Sequence, residues 1–236
     1  MDVVFLGTND AGYEIYEWLC DRDSVTVHAL LTRPDQLSLV AELEPDVVVA
    51  AGFEHIVPPE VLAVPDEGCL NVHPGLLPDT RGYNPNVWSI VEDLPAGVTI
   101  HYMDEGVDTG DIVATRELSV SFDETGKDLY ERLEAACVDL FTETWPSIER
   151  GTVEPQPQDD ADAVSHRKAD FSELCELDPD AEFTVRELLD RLRALTFPPY
   201  DNAYVDVDGE RYYVDVSITP ESETGDSDSA GFIEEY

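Results

Sequence analysis

Residues 2–7 contain an unbroken apolar run, Val3-Val4-Phe5-Leu6, as required of a strand buried on both faces of a parallel sheet. Behind it, residues 11–20 carry Ile15, Trp18 and Leu19 at helical spacing. The alternation continues with a strand over 25–31, a short helix over 37–43, a strongly apolar strand over 46–51 and a short strand over 69–72. A helix over 84–91 follows a proline-rich loop. Residues 98–103 and 112–118 read as strands either side of a turn, and 123–148 as a long helix entered through Thr125-Gly126. Alternation of this kind predicts a doubly wound α/β domain over 1–150, with its site at the carboxyl ends of the strands.

From 151 the composition shifts to Pro, Gln and Asp, which predicts a linker over 151–180. Residues 184–195 then place Val185, Leu188, Leu189, Leu192 and Leu195 on one helical face. Residues 203–207 and 211–216 alternate about Asp208-Gly209-Glu210, which predicts a hairpin. Helix and hairpin form a small extension over 181–218. Residues 219–236 are rich in Ser, Thr, Asp and Glu and read as a disordered tail.

Composition adds three constraints. With 42% hydrophobic residues among 236, the chain can bury a sizeable core. No apolar run approaches the roughly 18 residues of a membrane span, and the N-terminus has no basic segment followed by an apolar one, so a cytoplasmic location is expected. Fifty-three acidic residues face 13 basic ones, a net charge of −40, spread along the whole chain. That spread reads as a solvated acidic shell suited to high salt; a surface that repels polyanions or binds cationic partners is the competing reading. The four cysteines form no C-x-x-C pair, so neither a zinc site nor a disulfide scaffold is expected, and reduced thiols suit the cytoplasm.

Three segments carry candidate chemistry. Gly7-Thr8-Asn9-Asp10-Ala11-Gly12 is a glycine turn opening onto a helix N-terminus, a generic anion cradle that matches neither a P-loop nor G-x-G-x-x-G. Asn71-Val72-His73-Pro74-Gly75-Leu76-Leu77-Pro78-Asp79-Thr80-Arg81-Gly82 places an amide and an imidazole two residues apart, on one side of a strand that runs into a rigid loop. A donor beside a group titrating near neutrality suits acyl transfer, although a hydrogen-bonded core histidine has the same signature. Further on, Asp104, Gly106, Asp108 and Asp111 lie in a loop between two strands, where solvated turn acids are the simpler reading. Metal ligation by His73, His101 and an Asp is conceivable, but no ligand spacing recommends it, and no metal is expected.

Taken together, Asn71-Val72-His73-Pro74-Gly75-Leu76-Leu77-Pro78, Arg81-Gly82, Gly97-Val98-Thr99-Ile100-His101-Tyr102-Met103 and Asp108-Thr109-Gly110-Asp111-Ile112 resemble the 10-formyltetrahydrofolate-dependent formyltransferases. That family includes glycinamide ribonucleotide, methionyl-tRNA and nucleotide-sugar formyltransferases. The resemblance covers roughly residues 1–150 and implies a Rossmann-like sheet with flanking helices. The sheet would be about one βα unit short, because Thr32-Arg33-Pro34-Asp35 runs straight into the helix where the family has another strand and helix. Gly75 stands where many members have Ser, a small-for-small exchange expected to leave the loop intact.

The resemblance implies Asn71, His73 and Asp108 as the catalytic trio. It implies 10-formyltetrahydrofolate as co-substrate, lined by Ala51, Gly52, Phe53, Ile56, Asp104 and Gly106. The amine would attack the formyl carbon directly. Asn71 and protonated His73 would stabilise the oxyanion, and Asp108 would orient His73 and, through water, help move the proton from the attacking amine toward the folate N10 leaving group. Gly7, Thr8, Asn9, Arg81 and Gly82 are assigned to the acceptor, with a phosphate resting on the Gly7-Thr8-Asn9 turn. The C-terminal helix and hairpin resemble the small extension of sugar N-formyltransferases. Asn84-Pro85-Asn86 and Trp88 point the same way. The expected partner is therefore a small amine, an amino sugar on a nucleotide rather than tRNA; a homodimer is left open. The alternatives are a methionyl-tRNA formyltransferase, a 10-formyltetrahydrofolate hydrolase and a non-catalytic folate-binding protein.

Overall fold

A computed structural model of the chain describes residues 1–223 apart from 8, 160 and 162. Six strands form one mixed sheet: β1 (Asp2–Leu6), β2 (Thr26–Leu31), β3 (Val47–Ala51), β4 (Cys69–His73), and, in chain order after a two-residue strand β5 (Arg81–Gly82), β6 (Ala96–Tyr102) and β7 (Ile112–Leu118). Their order is β2-β1-β3-β4-β6-β7. The first four are parallel; β6 runs antiparallel to β4, and β7 antiparallel to β6. The helices of this part are α1 (Asp10–Cys20), α2 (Leu39–Leu43), α3 (Pro59–Leu62), α4 (Pro85–Val91) and α5 (Gly126–Glu149). The fold is thus a Rossmann-like α/β sheet with an antiparallel edge. Within the stretch expected to be a helix from residue 37, regular α-helix begins only at Leu39, behind a 3₁₀ turn over Pro34–Gln36.

The continuous apolar runs are explained by a core on each side of the sheet. Val3, Phe5, Val47, Val49, Leu70, Val72, Val98 and Ile100 face a layer completed by α1 and α5. Val4, Leu6, Val48, Ala50 and Cys69 face a smaller layer with Val40, Val57 and Val61. The period of two along each strand divides neighbouring residues between these layers. Helix starts follow capping chemistry. The Asn9 side chain accepts from the Gly12 N–H at α1, and Thr125 and Asp128 cap each other reciprocally at α5.

The segment expected to be a linker carries a two-residue strand β8 (Ser165–His166) and a helix α6 (Lys168–Cys175), and β8 pairs with β5. Beyond it come α7 (Val185–Leu195) and a hairpin of β9 (Tyr204–Val207) and β10 (Glu210–Tyr213), paired antiparallel around Asp208-Gly209. The apolar stripe expected on α7 divides in two. Leu192 and Leu195 are buried, whereas Val185 is 77% exposed and Leu188 is also exposed. Most of the tail expected over 219–236 lies outside the described residues; Glu221–Glu223 form a short 3₁₀ turn.

Candidate active site

The alternation of β4 puts Leu70 and Val72 into the larger core and turns Asn71 and His73 to the opposite face. Antiparallel pairing with β6 sets His101 opposite Asn71 and Thr99 opposite His73 on that face. The loop after β4 is then tied down from β6. The Thr99 hydroxyl donates to the Gly75 carbonyl at 2.8 Å, and the Leu77 N–H donates back to it at 3.1 Å. Folded this way, the loop brings the Thr80 carbonyl to 2.8 Å from His73 Nε2. A carbonyl can only accept, so Nε2 donates in this contact, and Nδ1 is the ring nitrogen that faces Asp108. A Cβ on residue 75 would lie 2.5 Å from His73 Nε2 and 2.7 Å from Thr80 Oγ1. A side chain at residue 75 would therefore require His73 or Thr80 to move, while with Gly75 the loop is held intact by the Thr99 bonds.

Asp108 reaches this face from the loop between β6 and β7. Tyr102 N–H donates to the Asp111 carbonyl at 2.9 Å, so the intervening residues arch out of the sheet. Asp108 has a left-handed backbone, φ 55°, a conformation Asp tolerates better than most side chains. Its Oδ2 accepts the Gly82 N–H at 2.8 Å and lies 3.7 Å from His73 Nδ1; its Oδ1 lies 3.5 Å from both His101 Nε2 and Asn71 Nδ2. Burial by itself would raise this carboxyl. His73, His101 and the Gly82 N–H outweigh burial and hold it well below the usual carboxylate range. His101 Nδ1 donates to the Tyr102 carbonyl at 2.7 Å, and its Nε2 lies 3.2 Å from Asn71 Nδ2. The structure therefore brings Asn71, His73 and Asp108 together, around an anion held ionised.

The residues expected to line the co-substrate pocket occupy two neighbouring loops. Phe53 and Met103 both pack on the smaller core, which sets the turn after β3 and the β6–β7 loop on one side of the sheet. Ala51 is buried; Ile56, 71% exposed, and Val107, 48% exposed, offer open apolar surface there. Gly52, at φ 69°, is packed against Asn9, whose Oδ1 lies 2.2 Å from where a Cβ would stand. Asp104 accepts from the Gly106 N–H at 2.9 Å and from Thr109 Oγ1 at 2.5 Å, which shapes the loop. Apolar faces beside loop backbone suit a flat bicyclic heterocycle.

The acceptor residues behave differently. At the first turn, a Cβ on Gly7 would meet the Ala51 carbonyl at 1.7 Å, and Asn9 Nδ2 donates to the Glu134 carboxylate at 2.8 Å. Asn9 caps the helix and a carboxylate stands beside it; Thr8 lies outside the described residues. Gly82 is at the trio through its N–H. Arg81 is buried, its guanidinium directed to Gln158 Oε1 at 3.1 and 2.7 Å. Asn86 is buried with Nδ2 on the Gly126 carbonyl, and Trp88 stacks on His166. Sequence reasoning weighed His101 only as a metal ligand and did not single out Gln158. The register that faces His101 with Asn71 is set by strand pairing between residues about thirty apart, and Gln158 sits in a polar segment with no period.

A mixed α/β sheet carrying an amide, two imidazoles and an ionised carboxylate on one face has the groups with which a proton can be held and passed on. The sequence matches the formyl transferase family over residues 18–144 and the N-formyltransferase dimerization C-terminal domain over 170–220. The chain belongs to the formyl transferase family. It is 35% identical over 197 residues to a methionyl-tRNA formyltransferase of Bacillus mycoides, covering 81% of this chain and 61% of that protein. Across the first curated relatives, all methionyl-tRNA formyltransferases, it spans 42% to 61% of their length. Among solved structures it resembles a 4-N formyltransferase from Francisella tularensis, with a TM-score of 0.84 and 27% identity over 93% of this chain and 98% of that one. It also resembles the formyltransferase PseJ from Anoxybacillus kamchatkensis in complex with UDP-4,6-dideoxy-4-formamido-L-AltNAc and tetrahydrofolate, with a TM-score of 0.66 and 29% identity over 73% and 89% of the two chains. The short six-stranded sheet is thus matched over nearly the whole of a solved formyltransferase.

Proposed function

We propose that this protein transfers a formyl group from 10-formyltetrahydrofolate to the amine of a nucleotide-linked sugar. The observation that carries the reading is the ionised Asp108, fixed by the Gly82 N–H against His73, His101 and Asn71. The formyl donor supplies an activated one-carbon acyl group, so the chain needs no Ser or Cys nucleophile. With Nε2 committed to the Thr80 carbonyl, His73 takes the proton of the attacking amine at Nδ1, where the Asp108 charge stabilises it, and returns it to the departing nitrogen. Asn71 Nδ2 is shared between His101 and Asp108, while its Oδ1 makes no hydrogen bond to a described residue and is free to accept from the amine. This assigns His73 to proton transfer, in place of the oxyanion role suggested by the family pattern.

A sugar acceptor is supported by the higher structural likeness to the 4-N formyltransferase, TM-score 0.84, than to a methionyl-tRNA formyltransferase from Clostridium thermocellum, TM-score 0.73, although the chain covers 95% of that protein too. A net charge of −40 also opposes phosphate-rich tRNA. The exposed Phe183, Val185, Tyr200, Tyr212 and Tyr213 lie in the region matching the dimerization domain, which supports a homodimer joined through the extension. We further take the acidic shell as an adaptation to high salt in the cytoplasm, with catalysis residing in 1–150. The test is to incubate the protein in molar KCl with 10-formyltetrahydrofolate and either amino-sugar nucleotides or charged initiator tRNA. Formylated sugar nucleotide is expected. Formylation of tRNA at rates far above every sugar would overturn the acceptor, and no transfer to any amine would overturn the function.

A further inference from the structure

Chain beyond residue 150 returns to the site. Gln156 and Ile112 exchange backbone hydrogen bonds at 2.8 Å each, anchoring the segment to the start of β7. Ser165–His166 pair in parallel with Arg81–Gly82, and the Val164 and His166 carbonyls accept from the Arg81 and Tyr83 N–H groups at 2.9 Å. Between these anchors Gln158 reaches in behind Asp108. Its Nε2 donates to the Asp108 carbonyl at 2.9 Å and the Gly110 carbonyl at 2.7 Å, and its Oε1 accepts from Arg81 Nε and Nη2.

The partners fix the direction of this amide. Reversed, it would set its oxygen against two carbonyl oxygens and its NH₂ against a guanidinium. A Glu could accept from Arg81 but would lose both donations and put negative charge beside two carbonyl oxygens. Each end of Gln158 therefore acts on Asp108 by a separate route. The donor end clamps the backbone of the loop that carries it, at a left-handed residue. The acceptor end holds Arg81, the neighbour of the Gly82 N–H that binds the Asp108 carboxylate.

We propose that Gln158 is a positioning residue for formyl transfer, clamping the Asp108 loop and the Arg81-Gly82 strand so that the carboxylate stands against His73. The inference rests on the function proposed above and adds a determinant from outside residues 1–150. A misplacement of about 1 Å at a catalytic group can cost on the order of 10²-fold, which is the scale available to such a clamp.

The test is a double-mutant cycle combining Gln158→Ala or Gln158→Glu with Asp108→Asn, run on the full chain in molar KCl. We expect each Gln158 variant to lower kcat by about 10- to 100-fold while KM for 10-formyltetrahydrofolate stays within about threefold. In the Asp108→Asn background, removing Gln158 should cost no more than about threefold, since there is no carboxylate left to position. Unchanged kcat in Gln158→Ala, equal losses in both backgrounds, or full activity in Gln158→Glu would overturn the proposal. Urea midpoints of the same proteins give a second cycle independent of turnover. If the wild type formylates no amine, the proposed function fails, and the positioning role is decided by whether positions 108 and 158 are coupled or additive in that cycle.

Discussion

The Asp108 carboxylate meets a backbone N–H, two imidazoles and an amide while keeping only 12% of its side chain in solvent. An anion so placed has two consequences. Asp108→Asn removes the charge that stabilises a proton on His73 Nδ1, and His73→Ala removes the proton carrier. Each should lower kcat by at least about 10²-fold while tetrahydrofolate binding, followed by thermal shift, persists. Near wild-type turnover in either variant would contradict the mechanism. The second consequence concerns pH. Because the folded carboxyl titrates below the roughly 3.9 of an unfolded Asp, its ionisation stabilises the fold above about pH 4, and that contribution is lost as pH falls through the folded value. The urea-stability gap between wild type and Asp108→Asn should narrow as pH falls below about 4. A gap that widened below about pH 4 would reverse the assignment. At this scale Asn71 and His73 are legible in sequence, because a period of two aligns them without knowledge of any partner strand. Asp108 is drawn from the family pattern alone, since nothing local separates a catalytic acid from the other acids of its loop.

Elements show the same division. Strands β1, β3, β4 and β6 can be read from their apolar runs because both faces are buried, and α5 and α7 from Thr caps followed by periodic apolar positions. Strands β5 and β8, two residues each, have no period to read, yet they bring Gly82 to Asp108. The stripe of α7 overstates burial because periodicity marks an apolar face without saying how much of it this chain covers. Gly82 tests the importance of the short pair. It has φ 89°, and a Cβ there would stand 2.2 Å from the His166 carbonyl oxygen. Gly82→Ala should part β5 from β8 and withdraw the N–H from Asp108, lowering kcat by at least about tenfold, since one misplaced donor of this kind can cost more. Wild-type kcat in a folded Gly82→Ala protein would remove β5 from the mechanism.

For the whole molecule, charge is the dominant long-range force. Thirteen basic residues cannot neutralise 53 acidic ones, and many of the cations are already paired within the fold. Arg116 sits with Asp139 and Glu143, Arg132 with Glu124, Arg186 and Arg193 with Asp190, and Arg211 with Asp206. The remaining acids repel one another, and a net charge this far from zero opposes the compact state. Counterions must supply the screening that the sequence does not. The Debye length is about 10 Å at 0.1 M and about 3 Å at 1 M, so molar salt confines each surface charge to its nearest neighbours. The core of nearly fully buried aliphatic and aromatic residues does not depend on that screening, so the salt response isolates the surface term. Thermal melts in KCl from about 0.05 to 2 M should show a Tm that climbs steeply at first and levels as the Debye length falls below the spacing of surface charges. Sucrose at matched osmolarity, which screens no charge, should not reproduce the climb. A Tm that stays flat across the KCl series would show that the acids are spaced widely enough not to oppose folding, and the high-salt reading of the composition would fall.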